Sequence, residues 1–328
     1  MKWRGRLRML TLIVLAGILL LFAGLWFRVT QPLLPFTRRQ DAPAVDPARL
    51  EAHVRLLSGG HSPRDAAHPE GMDAAAAYVR GEFEHTGGAV WEQPFDVGGQ
   101  TYRNVIAAFG PESGETVVVG AHYDTAGPLP GADDNASGVA GLIELAHLLA
   151  KSPPRLRVEL VAFALEEPPF FRTRHMGSAV HARGLREKGT RVRAMISLEM
   201  IGYFSDREGS QHLPSPLLKA LYPTRGDFIS VVGKMDQGPL ARAVKTAMLA
   251  ATPLPVYSVN APRAIPGIDF SDHMNYWEAG YDAVMVTDTA FLRNPNYHTR
   301  RDTPETLDYG RMAMVVRGVY GAVMALAG

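Results

Sequence analysis

Nineteen successive residues near the N-terminus, Met9 to Phe27, carry no charge and consist mainly of Leu, Ile, Val, Ala and Phe. That is about the 20 residues a helix needs to cross the hydrocarbon core of a bilayer. The run has no polar face, so it does not fit a helix laid on a water-soluble core. Four cations, Lys2, Arg4, Arg6 and Arg8, precede it. The positive-inside rule then keeps residues 1–8 in the cytoplasm and carries the rest across. A cleaved signal peptide is the rival expectation. Its apolar region is usually roughly 7 to 15 residues long and ends in a small-residue site, which Ala23-Gly24-Leu25-Trp26 fits poorly. The expected order is a cytoplasmic tail (1–8), a transmembrane signal anchor (9–27), a linker (28–45) with Pro32, Pro35 and Pro43, and one folded body (46–328). The protein is thus expected to be single-pass in the inner (cytoplasmic) membrane, with its body periplasmic or extracellular.

Beyond residue 46 helical and strand patterns alternate without an internal repeat. Met72 to Phe83 is Ala-rich and stops near Gly87-Gly88. Ser137 to Leu149 carries Val139, Leu142, Ile143, Ala146 and Leu149 at helical spacing and is ended by Pro153-Pro154. Short apolar or β-branched runs lie at 105–109, 116–121, 157–165, 194–198, 228–232 and 283–287. Several are apolar on successive residues, as strands covered on both faces are. The pattern predicts an α/β body, a mostly parallel central sheet sandwiched by helices. Residues 202–227, with their Pro and Gly, are expected to form an insertion or long loop.

Charge and composition narrow the partners. The chain has 328 residues, 34 Lys plus Arg and 33 Asp plus Glu, a net of +1. Seven of the cations, Lys2, Arg4, Arg6, Arg8, Arg28, Arg38 and Arg39, precede the first acid. Setting them aside leaves 27 against 33, or −6, for the body. A mildly acidic body has no footprint for nucleic acid. Without cysteine there are no disulfides, no thiolate nucleophile and no Cys-held metal, so any metal is held by His, Asp and Glu.

In open α/β sheets, sites form outside the carboxyl ends of strands. The run 116–121 leads into His122-Tyr123-Asp124, and a Gly/Pro loop then brings Gly131-Ala132-Asp133-Asp134-Asn135-Ala136-Ser137-Gly138. The run 157–165 leads into Glu166-Glu167 and 194–198 into Glu199, while Asp288 and His298 follow 283–287. The chemistry that uses such a set is a pair of divalent ions held by carboxylate and imidazole with a position open for water. Zinc suits the donors first, with manganese or cobalt next. Neighbours in an extended segment point opposite ways, so of Glu166 and Glu167 one is a ligand and the other faces the water. His122 and Asp124 share a face, which lets the Asp124 carboxylate orient the imidazole.

These motifs, with Leu198-Glu199-Met200-Ile201-Gly202 and Tyr297-His298-Thr299, resemble the exported zinc aminopeptidases with co-catalytic metals. That family includes bacterial leucyl aminopeptidases and glutamate carboxypeptidases, with glutaminyl cyclases and the transferrin receptor as relatives. The resemblance runs from about residue 50 to the end. It implies a zinc-exopeptidase fold, two zinc ions per chain and a peptide substrate. Among residues it implies Asp133 as the bridge between the metals, His122 and Glu199 completing one site, Glu167 and His298 the other, and Glu166 as general base; Asp124, which orients His122, is the second candidate catalytic residue. It also implies a non-proline cis peptide after Asp133. Many members carry Asp where this chain has Glu199.

Asp134 is expected either to cap the helix near Ser137 or to tighten the metal loop behind the ligands. His273 is a candidate for polarising the scissile carbonyl, and Tyr203 and Phe270 for the pocket wall. Asp302-Thr303-Pro304-Glu305 reads as a helix start. The alternatives to an aminopeptidase are a glutaminyl cyclase, a carboxypeptidase using Arg172, Arg174 or Arg263, and a non-catalytic membrane-tethered receptor or scaffold. Oligomeric state and side-chain preference are not encoded in these patterns.

Overall fold

The N-terminal apolar run forms α1 (Lys2–Thr30) in a computed structural model that describes residues 2–33 and 42–328. Its segment Thr11–Thr30 has a mean hydropathy of 2.4 and is not buried within the fold, so it is long and apolar enough to cross a membrane. The helix continues past Phe27 to Thr30, and residues 34–41 of the expected linker lie outside the described residues.

The body opens with α2 (Pro47–Arg55), α3 (Pro69–Glu84), β1 (Ala89–Val97) and β2 (Gln100–Phe109). Strands and helices then mix as β3 (Thr116–His122), α4 (Gly138–Lys151), β4 (Arg157–Phe163), α5 (Gly177–Glu187), β5 (Val192–Glu199), β6 (Ile229–Lys234), α6 (Gly238–Ala251), β7 (Val256–Ala261), α7 (His273–Glu278), β8 (Ala283–Thr287) and α8 (Tyr309–Ala327). Local chemistry sets the ends. Asp46 caps α2 by accepting from Ala48 N at 2.9 Å, with Pro47 in its first turn, and Asp308 caps α8 by accepting from Arg311 N at 2.9 Å.

The eight strands form one sheet in the order β1-β2-β4-β3-β5-β8-β6-β7. Four of them, β4, β3, β5 and β8, run parallel, so their carboxyl ends share one edge. The pairs β1–β2, β2–β4 and β6–β8 are antiparallel. Alternate residues face opposite layers. Val117, Val119, Ile196 and Val284 join the larger core under α4 and α8, while Val118, Met195 and Met285 join the smaller core with α7 residues Met274 and Trp277. The second apolar helix, α8, is a core helix, with Met312, Val315, Val316, Val319 and Val323 buried.

Two strands are missing from the sequence expectation. In β1 the sequence Trp91-Glu92-Gln93-Pro94 is partly exposed at a sheet edge, and β7 at the other edge is only half-buried, so neither shows the continuous apolar run of a central strand. The helix start expected at Asp302 is a short 3₁₀ turn over Pro304–Thr306 preceded by Thr303. Asp302 itself is buried and serves another purpose, described below.

Candidate metal centre

His122 ends β3, Glu199 ends β5, Glu166 and Glu167 follow β4, and His298 follows β8. Because those strands are parallel, the five side chains are delivered to the same edge. The residue at their centre is Asp134. Its Oδ1 lies 3.3 Å from His122 Nε2, which is 3.4 Å from Glu199 Oε2. Its Oδ2 lies 3.1 Å from His298 Nε2, which is 3.2 Å from Glu167 Oε1. Two three-residue sets thus meet at one carboxylate: His122, Asp134 and Glu199, and Asp134, Glu167 and His298.

The family resemblance implies Asp133 at that central position. The structure turns Asp133 away, where its Oδ1 accepts from Gly202 N at 2.9 Å and its Oδ2 from Asn294 Nδ2 at 2.8 Å. The non-proline cis peptide correspondingly lies at Asp134–Asn135, one residue beyond the expected place. Gly131, at φ 58°, makes the turn into this loop, and a Cβ there would sit 2.3 Å from the Asp134 carbonyl oxygen. Asn135 fastens the loop to the end of β5, donating to Leu198 O at 2.8 Å and accepting from Met200 N at 3.1 Å.

Two further carboxylates hold the backbone of these residues. Asp124 accepts from Glu166 N at 3.0 Å and Glu167 N at 2.9 Å, and its Oδ1 lies 3.5 Å from His122 Nδ1. Asp302 accepts from Asp133 N at 2.9 Å and Asp134 N at 3.1 Å. Behind both, the fully buried Arg64 donates to the carbonyls of Tyr123, Pro130 and Gly131 at 2.7, 2.6 and 2.5 Å. Ser271 donates to Glu199 Oε2 at 2.7 Å. Arg64 carried no sequence signal and Asp302 only that of a helix start, since each acts on backbone groups far along the chain. Three residues at the site have left-handed backbones, Leu165 before Glu166 (φ 61°), Met200 after Glu199 (φ 49°) and His298 (φ 53°), a conformation that bulky side chains adopt at some cost.

The electrostatics are those of a site short of positive charge. Burial alone would depress the His122 imidazole, but Glu199, Asp124 and Asp134 outweigh it and hold it well above its ordinary value. Burial, joined by Glu167 and Glu199, keeps the Glu166 carboxyl well above the usual range against the pull of His122. Burial and Asp134 push Glu167 up to about 7. Asp133 is likewise raised, by burial and by the Asp288 carboxyl it bonds to. His122 Nε2 is buried without a hydrogen-bond partner. An imidazole nitrogen left unpaired among clustered carboxylates matches the donor set of a divalent cation site.

Glu166 Oε2 stands 4.0 Å from His122 Nε2, beside the first set, and belongs to neither. His273 does not join them. Burial pushes its imidazole down to about 4, so at neutral pH it has one N–H, and Nε2 bonds to Ile268 O at 2.8 Å with the ring edge-on to Trp277. No proton remains to polarise a substrate carbonyl. Tyr203 is engaged through its backbone, donating to Asp288 Oδ2 at 2.9 Å. Phe270 does border the site, in the wall of a large apolar cavity that also includes Glu199 and Tyr297.

The profile of Peptidase family M28 matches residues 104–323. The uncharacterized protein YfbL of Escherichia coli is 48% identical over 294 residues, covering 87% of this chain and 89% of YfbL. Among solved structures, a zinc aminopeptidase from Bacillus subtilis aligns with a TM-score of 0.68 at 17% identity, over 89% of this chain and 95% of that one. A glutaminyl cyclase from Bacteroides thetaiotaomicron bound to N-acetylhistamine aligns with a TM-score of 0.66 at 21% identity, over 87% and 99%. Both share the fold described above.

Proposed function

The chain belongs to peptidase family M28, and on that premise we propose that it is a membrane-anchored aminopeptidase working with two zinc ions. The observation that carries the reading is the meeting of two ligand sets at Asp134. His122, Asp134 and Glu199 would hold one ion, and Asp134, Glu167 and His298 the other. Imidazole with carboxylate and no sulfur suits zinc, then manganese or cobalt. When bound, such ions supply Lewis acidity and lower the pKa of a water.

The chain's own residues do the rest. Glu166, outside both sets and beside the first, takes the proton from the attacking water and hands it to the leaving amine. Water is thereby added across the C–N bond, and a carboxylic acid and a free amine depart. Asp124 and Asp302 hold the ligand-bearing backbone, so the carboxylates that would hold the ions are positioned in advance. The apolar α1 anchors the enzyme, and the cations ahead of it place the site on the far side of the membrane.

Two observations favour this over the relatives' other activities. Of the three arginines considered for a C-terminal carboxylate, Arg172 bonds to Asp269 at 2.5 Å and Arg263 to Glu278 at 2.6 Å, so each already pairs with a carboxylate, while Arg174 is exposed to solvent. Both ligand sets are complete, which supports hydrolysis over one-metal cyclisation. The test is metal content of the full chain purified in detergent, alongside hydrolysis of aminoacyl-anilides with and without chelator. Near two zincs and chelator-sensitive release of N-terminal residues is expected. One metal with cyclisation of N-terminal glutamine would replace the reading by the cyclase, and no bound metal would overturn it.

A further inference from the structure

One face of the last three strands, β8, β6 and β7, borders a cavity. Met285, Ser230, Val232, Val259 and Ala261 of these strands line it, together with residues from the segments 211–222 and 262–270, among them Leu213, Leu218, Ile265 and Ile268. Its volume is about 600 Å³, whereas roughly 150 Å³ suffices to hold a benzene molecule. It is therefore too large for any one amino-acid side chain.

The two ends of this space differ. Across the strand order β5-β8-β6-β7, Glu199 at the end of β5 stands on one side, with Tyr297 and Phe270 also in the lining, and Leu25 and Val29 of α1, which is bonded to Ser258 of β7, on the other. Among the described residues that line it, Glu199 is the one with an ionisable side chain of full charge. The α1 end is fixed in place. Thr30 O accepts from Lys245 Nζ at 2.9 Å and from Ser258 Oγ at 2.8 Å, Pro32 O accepts from Arg242 at 3.1 Å, and the Arg242 guanidinium lies 5.2 Å over the Phe27 ring. Leu25 and Val29, in the last turns of α1, thus form one wall of a mostly apolar chamber that reaches Glu199. An occupant entering there comes from the bilayer surface, and burying its apolar area drives it inward.

We propose that this cavity receives a long aliphatic chain of the substrate, so that the enzyme acts on chain-bearing amides, such as lipid-modified peptides, taken from the membrane. The inference rests on the peptidase reading for its chemistry and on the anchor reading for its direction of entry. A mostly apolar site with few polar groups at one end is how proteins hold and orient such ligands.

The test uses the full chain in phosphatidylcholine nanodiscs, stripped of metal, with a diazirine-bearing tetradecylamine as photoprobe. Adducts are expected in residues 211–222 and 259–270 and should be displaced by excess tetradecylamine. Adducts confined to residues 9–30 would overturn the proposal, because any bilayer-dissolved probe reaches α1. Filling the cavity by Val259→Trp or, independently, Ser230→Trp should cut labelling of those segments at least tenfold in variants that keep the wild-type melting temperature. Undiminished labelling in such a variant counts against the site. With zinc restored, leucine tetradecylamide or a long-chain α-amino acid anilide should be cleaved with kcat/KM at least tenfold above its short analogue. Cavity labelling without hydrolysis of any amide keeps this site and removes the peptidase reading; hydrolysis of short amides without cavity labelling does the reverse.

Discussion

The Asp302 carboxylate receives the backbone N–H of Asp134 at 3.1 Å, across 168 residues of chain, and that of Asp133 at 2.9 Å. A carboxylate accepting two successive N–H groups fixes the peptide plane between them, and with it which neighbouring side chain faces the ligand sets. Asp124 does the same for Glu166 and Glu167. In Asp302→Asn one of the paired acceptors becomes a donor facing an N–H. Zinc affinity is expected to fall by about 10- to 100-fold, the usual cost of losing a group that orients a ligand. Competition against a chelator of known affinity measures it, and wild-type affinity would show that Asp302 does not set the loop.

The adjacent acids Asp133 and Asp134 should respond differently to the same change. Asp134→Asn is expected to lose metal from both sites and all turnover. Asp133→Asn should keep two ions and lose stability by about 1–3 kcal/mol, because the buried groups it satisfies are left mispaired. Metal analysis and thermal unfolding of both variants separate the roles; loss of both ions in Asp133→Asn would return the bridge to that residue.

Glu166→Gln preserves shape and removes the base. Turnover should fall by about 10²- to 10⁴-fold while metal content stays at the wild-type level. Near-normal turnover would assign the proton transfer to another group.

Arg64 is fully buried, and burial lowers its guanidinium to about 10, still charged at neutral pH. Its removal in Arg64→Met leaves the carbonyls of Tyr123, Pro130 and Gly131 without their donor. The expected loss is at least about 3 kcal/mol, read as a lower melting temperature of the metal-free chain. An unchanged melting temperature would mean that water replaces the guanidinium.

His273 sets a pH dependence. Its pKa is 6.5 when exposed and about 4 in the fold, through burial. Between those values the unfolded chain binds the proton and the folded one does not, so stability is lost as pH falls from 6.5 towards 4. The contribution is at most about 3 kcal/mol. Unfolding of wild type and His273→Gln at pH 7 and pH 4.5 should show a smaller acid loss in the variant. Equal losses would place the acid sensitivity elsewhere.

Much of the fold was legible because its signals are local. Apolar runs marked β3, β4, β5 and β8, and charged residues just beyond each run marked the edge where a parallel sheet gathers them. The six strands expected from the pattern are present, while β1 and β7, half-exposed at the edges, owe their conformation to pairing with distant strands. His122, Glu166, Glu167, Glu199 and His298 were named from their places at strand ends, and the structure brings them together.

By itself, then, the sequence determined the apolar N-terminal helix, the α/β layering and the kinds of side chain gathered at one edge, since periodicity and residue type act within a few positions of the chain. Tertiary structure alone decided that Asp134 and not Asp133 faces both ligand sets, that Arg64 and Asp302 hold the loops, and that an apolar chamber joins α1 to Glu199. Two neighbouring aspartates have the same chemistry and the same local pattern. Which one turns inward depends on the peptide plane between them, and the hydrogen bonds that their N–H groups donate to Asp302, remote in sequence, set that plane.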